Sequence, residues 1–398
     1  MGLAAALLLA LAAAARPEPL PAVEPAPQLA RELEAVRKRP APSEPGTPRA
    51  RELARDLGRI AEGYLEIGET GRAIELLEEA YGWDEQNGMV LAELTLAYVR
   101  EENFPFARFY LELAEQRAAL APLEIYATLG DVYYALHRVE DAVLAWEQFQ
   151  RLDGNDPAVV KRLARARQEQ SLSRGQRLLQ EADFSIYSDE AISPDVVERI
   201  ADRLAESYRI QSAFFQTRLE GPQVVVLYAG RAYFSLVSVP EWVGGVFDGK
   251  IRISIDLDLG VTPALDGVLT HELAHALVRK ASGDRAPGWL HEGLAQWAEG
   301  KRLVVGDFRE IFASGRKPAS LSQMEGNLAR KADRGAARAN YGQALGLVEY
   351  LIEHRGSGAV VCLLRDLAEG LSIEEGLLRE SGLTSAQLVA AWKAWARL

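Results

Sequence analysis

The sequence is poor in thiols, in imidazoles and in positive charge, and each scarcity narrows what the chain can be. One cysteine, Cys362, permits no intrachain disulfide, so packing must hold the fold. Set in Ala359-Val360-Val361-Cys362-Leu363-Leu364, it reads as a small buried hydrophobe of a helix rather than a nucleophile. So few thiols also suit an oxidising compartment. A formal net charge of −12 denies the chain the basic surface that phosphate backbones attract, so no nucleic-acid partner is expected. Beyond the first residues, no apolar run approaches the ~20 residues that span a bilayer. Histidine occurs only five times in 398 residues, and three of the five fall between His271 and His291.

What is present begins with residues 1–15, a run of Leu, Ala and Gly after Met1. It has the form of a secretory signal, with Ala13 and Ala15 placed for cleavage before Arg16, though without a basic start. Export to a periplasmic or extracellular space is expected, with membrane attachment only through this segment if it stays uncleaved. Residues 16–49 carry nine prolines and read as an extended spacer with one short helical piece around Leu29 to Lys38.

Residues 50–170 contain a repeat. Tyr64, Ala73, Leu77 and Ala80 are followed by Tyr98, Ala107, Leu111 and Ala114, then by Tyr133, Ala142, Trp146 and Phe149. The offsets of nine, four and three recur, and the units lie 34 and 35 residues apart. This pattern resembles the tetratricopeptide repeat, a helix hairpin with small residues where its two helices touch. One hairpin cannot bury its apolar face alone, so three units should stack under a capping helix from Pro157 to Gln170. The resemblance implies an α-solenoid with a concave surface for a protein partner.

From 180 to 398 the texture changes. Phe184 to Tyr187 reads as a strand, Pro194 to Phe214 as a helix and Gln223 to Tyr228 as a buried strand, followed by a helical turn near Arg231 to Leu236. Across Gly244 to Leu259, Ile251, Ile253, Ile255, Leu257 and Leu259 alternate with Arg252, Ser254, Asp256 and Asp258, the mark of a half-exposed strand. The C-terminal stretch reads as two or three helices with Trp392 and Trp395 packed back as core. Mixed strands and helices make this an α+β domain.

Within it, Thr262-Pro263 starts a helix that runs to about Lys280 and carries His271-Glu272-Leu273-Ala274-His275. Histidines four apart share a helix face and can reach one metal ion, while Glu272 lies at the edge of that face, placed to hold a water. A second helix from Pro287-Gly288 through Ala298 carries Glu292, with 16 residues between it and His275, enough for a helix tail and a turn back. Two histidines and a carboxylate leave a fourth zinc position open, as in catalytic sites. Gln296, one turn after Glu292, is a candidate hydrogen-bond partner for a ligating histidine. His291 points about 100° away from Glu292 around the helix and reads as a neighbour rather than a ligand. His137 and His354 sit in polar, loop-like settings.

The pair His271-Glu272-Leu273-Ala274-His275 and Trp289-Leu290-His291-Glu292-Gly293-Leu294-Ala295 resembles the gluzincin metallopeptidases, and the layout resembles compact peptidase-MA-like domains appended to tetratricopeptide repeats. The resemblance implies a zincin-like α+β metallopeptidase domain with one zinc ion on His271, His275 and Glu292. It implies Glu272 as general base, peptide or protein as substrate, and Lys250 to Asp256 as the strand edge that pairs with an extended peptide. Gly244 to Gly249 stands where an exopeptidase would carry its amino-terminus-gripping motif, which favours endopeptidase action. Tyr341 resembles the tyrosine that stabilises the oxyanion in such domains, although Tyr341, Leu345, Val348 and Ile352 also form a core stripe. The other reading is a repeat scaffold whose metallopeptidase-like domain is inactive or merely binds; hydrolysis of a non-peptide amide is a third.

Overall fold

The computed structural model describes residues 25–101, 103–117, 124–152, 154–219, 221–231, 233, 244–303, 305–312, 317–326, 328 and 334–398. The apolar run 1–15 and most of the turn expected at 231–236 lie outside the described residues. Two compact units emerge: residues 25–176 with 221–224, and residues 177–219 with 225–398.

In the first unit, α1 (Pro25–Arg37) precedes three hairpins: α2 (Pro48–Glu66) with α3 (Thr70–Trp83), α4 (Gly88–Arg100) with α5 (Phe104–Arg117), and α6 (Glu124–Ala135) with α7 (Val139–Arg151). Helix α8 (Pro157–Ser173) follows. Side chains set several starts: Thr47, Asn87 and Asp156 accept the backbone N–H of Ala50, Val90 and Ala158, and proline follows directly after Thr47 and Asp156. The twelve recurring residues of the repeat are all buried in one core. Stacking is what buries them, because each hairpin leaves its neighbour-facing side apolar.

Within the spacer expected over 16–49, the helical piece expected around Leu29 to Lys38 is α1, and it is packed rather than free. Leu29, Leu33 and Val36 form a helical stripe, and α1 lays it on α2: Leu33 and Val36 are each 4% exposed, and Leu29 fills the space beside Gly63. Ion pairs Arg59–Glu32 (2.8 Å) and Arg37–Glu79 (3.1 Å) flank the contact. His137 lies in the turn between α6 and α7 with a polar partner, as expected, but it is buried there, its ring hydrogen-bonded to Gln176 at 2.8 Å.

The second unit is mostly helical with a small mixed sheet. Its strands are β1 (Arg177–Gln180), β2 (Phe184–Ser188), β3 (Gln223–Ala229), β4 (Gly245–Phe247) and β5 (Ile251–Ile255), in the order β1-β2-β3-β5-β4. The β1/β2 and β4/β5 pairs are antiparallel and β3/β5 is parallel. Strand β1 has no apolar alternation to announce it; its residues are exposed or half-buried.

The long alternating strand expected over Gly244–Leu259 is two strands joined by a hairpin. Leu257 and Leu259 are exposed, not core-facing, and Arg252 is fully buried. The reason is position: β5 is an interior strand, covered on both faces, so its polar side must be satisfied inside. Arg252 Nε donates to Asp248 at 3.0 Å, its Nη1 donates to Tyr228 Oη at 2.7 Å, and the guanidinium lies 4.3 Å over the Tyr233 ring. Consequently Lys250 to Asp256 is not the sheet edge; β4 is.

Helix α9 (Pro194–Phe215) and α10 (Pro263–Ala281) pack together, followed by α11 (Gly288–Ala298), α12 (Val305–Phe312), a 3-10 turn (Leu321–Met324) and α13 (Arg334–Arg355). Helices α14 (Ser357–Ala368), α15 (Ile373–Ser381) and α16 (Ser385–Ala396) close the chain. Trp392 is buried edge-on to Phe308 with ring centroids 5.7 Å apart. Cys362 lies half-buried on α14. Among the described residues, no helix is long and apolar enough to cross a membrane.

Candidate metal centre

Helix α10 is fixed at both ends. Thr262 accepts the Leu265 N–H, Pro263 occupies the first turn, and Ser282 caps the far end. Its buried face is Leu269, Leu273, Ala276 and Leu277. With that face inward, His271 and His275 stand one above the other, their rings edge to face with centroids 4.8 Å apart.

Helix α11 returns Glu292 to them. Glu292 Oε2 lies 3.5 Å from His271 Nε2 and 3.8 Å from His275 Nε2. One ligand atom from each residue falls within 4.8 Å of the others. Glu292 Oε2 is buried and has no hydrogen-bond partner, which is costly for a carboxylate oxygen unless a cation completes it. Tetrahedral bonds of ~2.1 Å would separate ligand atoms by ~3.4 Å, close to the 3.5 and 3.8 Å that Glu292 Oε2 keeps from the two histidines. The donor set and the partnerless oxygen therefore fit zinc. The side chains of His271 and Glu292 are each 16% exposed.

Further carboxylates surround this point. His271 Nδ1 meets Glu299 Oε2 at 3.2 Å, and Lys301 Nζ holds the same oxygen at 2.9 Å. A proton on Nδ1 leaves Nε2 free to face Glu292. Burial opposes charge on His271, but the Glu292 and Glu299 carboxylates outweigh it and raise its pKa to about 10. Burial drives His275 down to about 3. Burial also works against ionised Glu292, yet His275 and His271 bring it down to about 2. The cluster thus attracts one positive charge to its centre.

Glu272 projects from the edge of the histidine face of α10 toward β4. Burial pushes its carboxyl up to about 7, against the pull of His271, and the Phe247 backbone donates to it. Gly245 lies alongside, where a Cβ would sit 2.7 Å from Glu272 Cγ, so no larger residue fits. Tyr341 comes from α13, two turns into the helix, and its hydroxyl donates to Glu292 Oε1 at 3.3 Å. Burial, then the Glu292 carboxylate, raises its pKa, so the phenol keeps its proton.

The structure thus brings His271, His275, Glu272, Glu292 and Tyr341 together. Gln296 is corrected: its amide donates to Glu292 O and Tyr341 O, each at 3.0 Å, and not to a histidine. Glu299 was not singled out from the sequence, though its place seven residues after Glu292 puts it on the same helix face. The His291 ring lies 5.7 Å from that of His275, and burial lowers its pKa to about 4.

Residues 216–397 match the family model of the Peptidase MA superfamily. Comparison with curated proteins finds no match. Among solved structures, the chain is similar to the NMR structure of the first TPR domain of the human RPAP3 protein, at 22% identity over 30% of this chain and 92% of that one, with a TM-score of 0.27.

Proposed function

We propose that the second unit is a zinc-dependent endopeptidase of the gluzincin type, and that the repeats recruit its protein substrate or a partner. The observation that carries the reading is the convergence of His271 Nε2, His275 Nε2 and the buried, partnerless Glu292 Oε2 on one point. His271, His275 and Glu292 would hold the ion, which when bound supplies an acidified water and a polarised substrate carbonyl. The proton that His271 carries in the protein alone leaves on metal binding.

Glu272, ionised beside the ion, accepts the proton of the attacking water and passes it to the leaving amine. Its hydrogen bond from Phe247 keeps it aimed along the β4 edge. Tyr341, with its proton retained, donates to the oxygen that gains charge as the carbonyl is attacked. In the β4/β5 ladder, Ser254 N–H donates to Gly244 O and Asp248 N–H to Lys250 O, and Val246 faces Arg252. Gly245 therefore turns its own N–H and C=O away from β5. An extended peptide laid along this edge would pair with Gly245, bringing its scissile carbonyl beside Glu272.

The test compares zinc-loaded wild type with Glu272→Gln on an unfolded protein substrate. Wild type should cleave, and Glu272→Gln should be slower by ~10²-fold or more with its zinc retained. Equal cleavage by both would remove Glu272 as the base, and no cleavage by the zinc-loaded wild type would reduce the unit to a binding scaffold.

A further inference from the structure

Helices α11 and α13 approach each other closely at Gly293, where a Cβ would lie 2.4 Å from the Ala344 carbonyl oxygen. One turn along α11 from Glu292, Gln296 is 6% exposed and spans the crossing, its Nε2 donating to Glu292 O and to Tyr341 O at 3.0 Å each. Both carbonyls lie inside helices, where the N–H four residues on already serves them. The amide is therefore not needed to satisfy either one. An apolar side chain of the same length would fill the space. What the amide adds is a tether between the turn that carries Glu292 and the turn that carries Tyr341.

We propose that Gln296 is a positioning residue of the site. By joining the two backbones it fixes the Tyr341 hydroxyl against Glu292 Oε1, at 3.3 Å, and thereby sets where that hydroxyl meets a substrate oxygen. The inference rests on the reading of Tyr341 as a donor in peptide hydrolysis. A phenol hydroxyl stands at the end of a long rigid arm, so a small slip of α13 along α11 moves it by a comparable distance. Displacement of ~1 Å at a reacting group can cost ~10²-fold in rate. No such sensitivity applies to His271 and His275, which ride on α10.

The test is a double-mutant cycle on the full-length, zinc-loaded protein with Gln296→Met and Tyr341→Phe. Both kcat and KM on an unfolded protein substrate are read, together with zinc affinity by chelator competition. Gln296→Met should lower kcat about tenfold, with KM and zinc affinity changed by less than about threefold, and should have almost no further effect in the Tyr341→Phe background. An equal loss in both backgrounds, or a loss that appears in KM or in zinc affinity, overturns the inference. Should Gln296→Met not fold, Gln296→Leu, which also removes the donors without adding charge, takes its place.

The same cycle read on the affinity of a peptide phosphonate, a mimic of the tetrahedral oxyanion, separates the two levels of the account. Coupling in phosphonate affinity without any hydrolysis upholds the positioning role and removes the activity. Hydrolysis with additive losses does the reverse. Neither hydrolysis nor phosphonate binding overturns both.

Discussion

His271 Nδ1–H donates to Glu299 at 3.2 Å, and Lys301 holds that carboxylate at 2.9 Å. A histidine ligand whose far nitrogen is held in this way presents a fixed tautomer and a more basic Nε2. Glu299→Ala should therefore weaken zinc binding about 10–100-fold with the fold intact, as measured by competition with a chelator. The three converging side chains were legible in the sequence because a four-residue helical spacing and a short return loop leave little freedom. Glu299 was hidden for a different reason: an acid in the last turn before Gly300 looks like any solvated helix end until His271 is seen beside it. Gln296 was misplaced because its real partner, the Tyr341 backbone, lies 45 positions on in the chain.

At the level of elements, the α11/α13 crossing depends on Gly293. Its missing Cβ faces backbone, the Ala344 carbonyl at 2.4 Å, so a methyl group there must push the helices apart. Gly293→Ala should destabilise the second unit by roughly 2 kcal/mol or more, seen as a lowered thermal midpoint. The strands were harder to read than the helices. Alternation in Gly244–Leu259 suggested one half-exposed strand, but periodicity carries no information on sheet order, and only the interior place of β5 explains a buried Arg252 paired with Asp248. In the first unit, α4 carries Glu93, whose carboxyl burial and then the Glu62 charge push from 4.5 up to about 8. The folded state keeps a proton that the unfolded chain releases near its ordinary pKa. Stability from this group is thus full below pH 4.5 and is lost as the pH rises through about 8. Glu93→Gln should remove that loss, gaining on the order of 3 kcal/mol over wild type at pH 9 and little at pH 4, by denaturant unfolding.

Across the whole molecule, two cores divide the chain, one from Leu33 to Ala166 and one from Phe184 to Ala396. The first was legible as a period, because each hairpin repeats one solution to burying an apolar face. The second was legible through its site rather than its sheet, since the β4 edge and the opening of the unit at β1 carry little patterned apolar sequence. The claim that binds the account together is a metal ion held by His271, His275 and Glu292. Native mass spectrometry of the full chain, purified with zinc present, tests it most directly. The account predicts one zinc per chain in wild type and in Glu272→Gln, and none in His271→Ala or Glu292→Ala. A metal-free wild type, or zinc retained when His271 or Glu292 is removed, would contradict it.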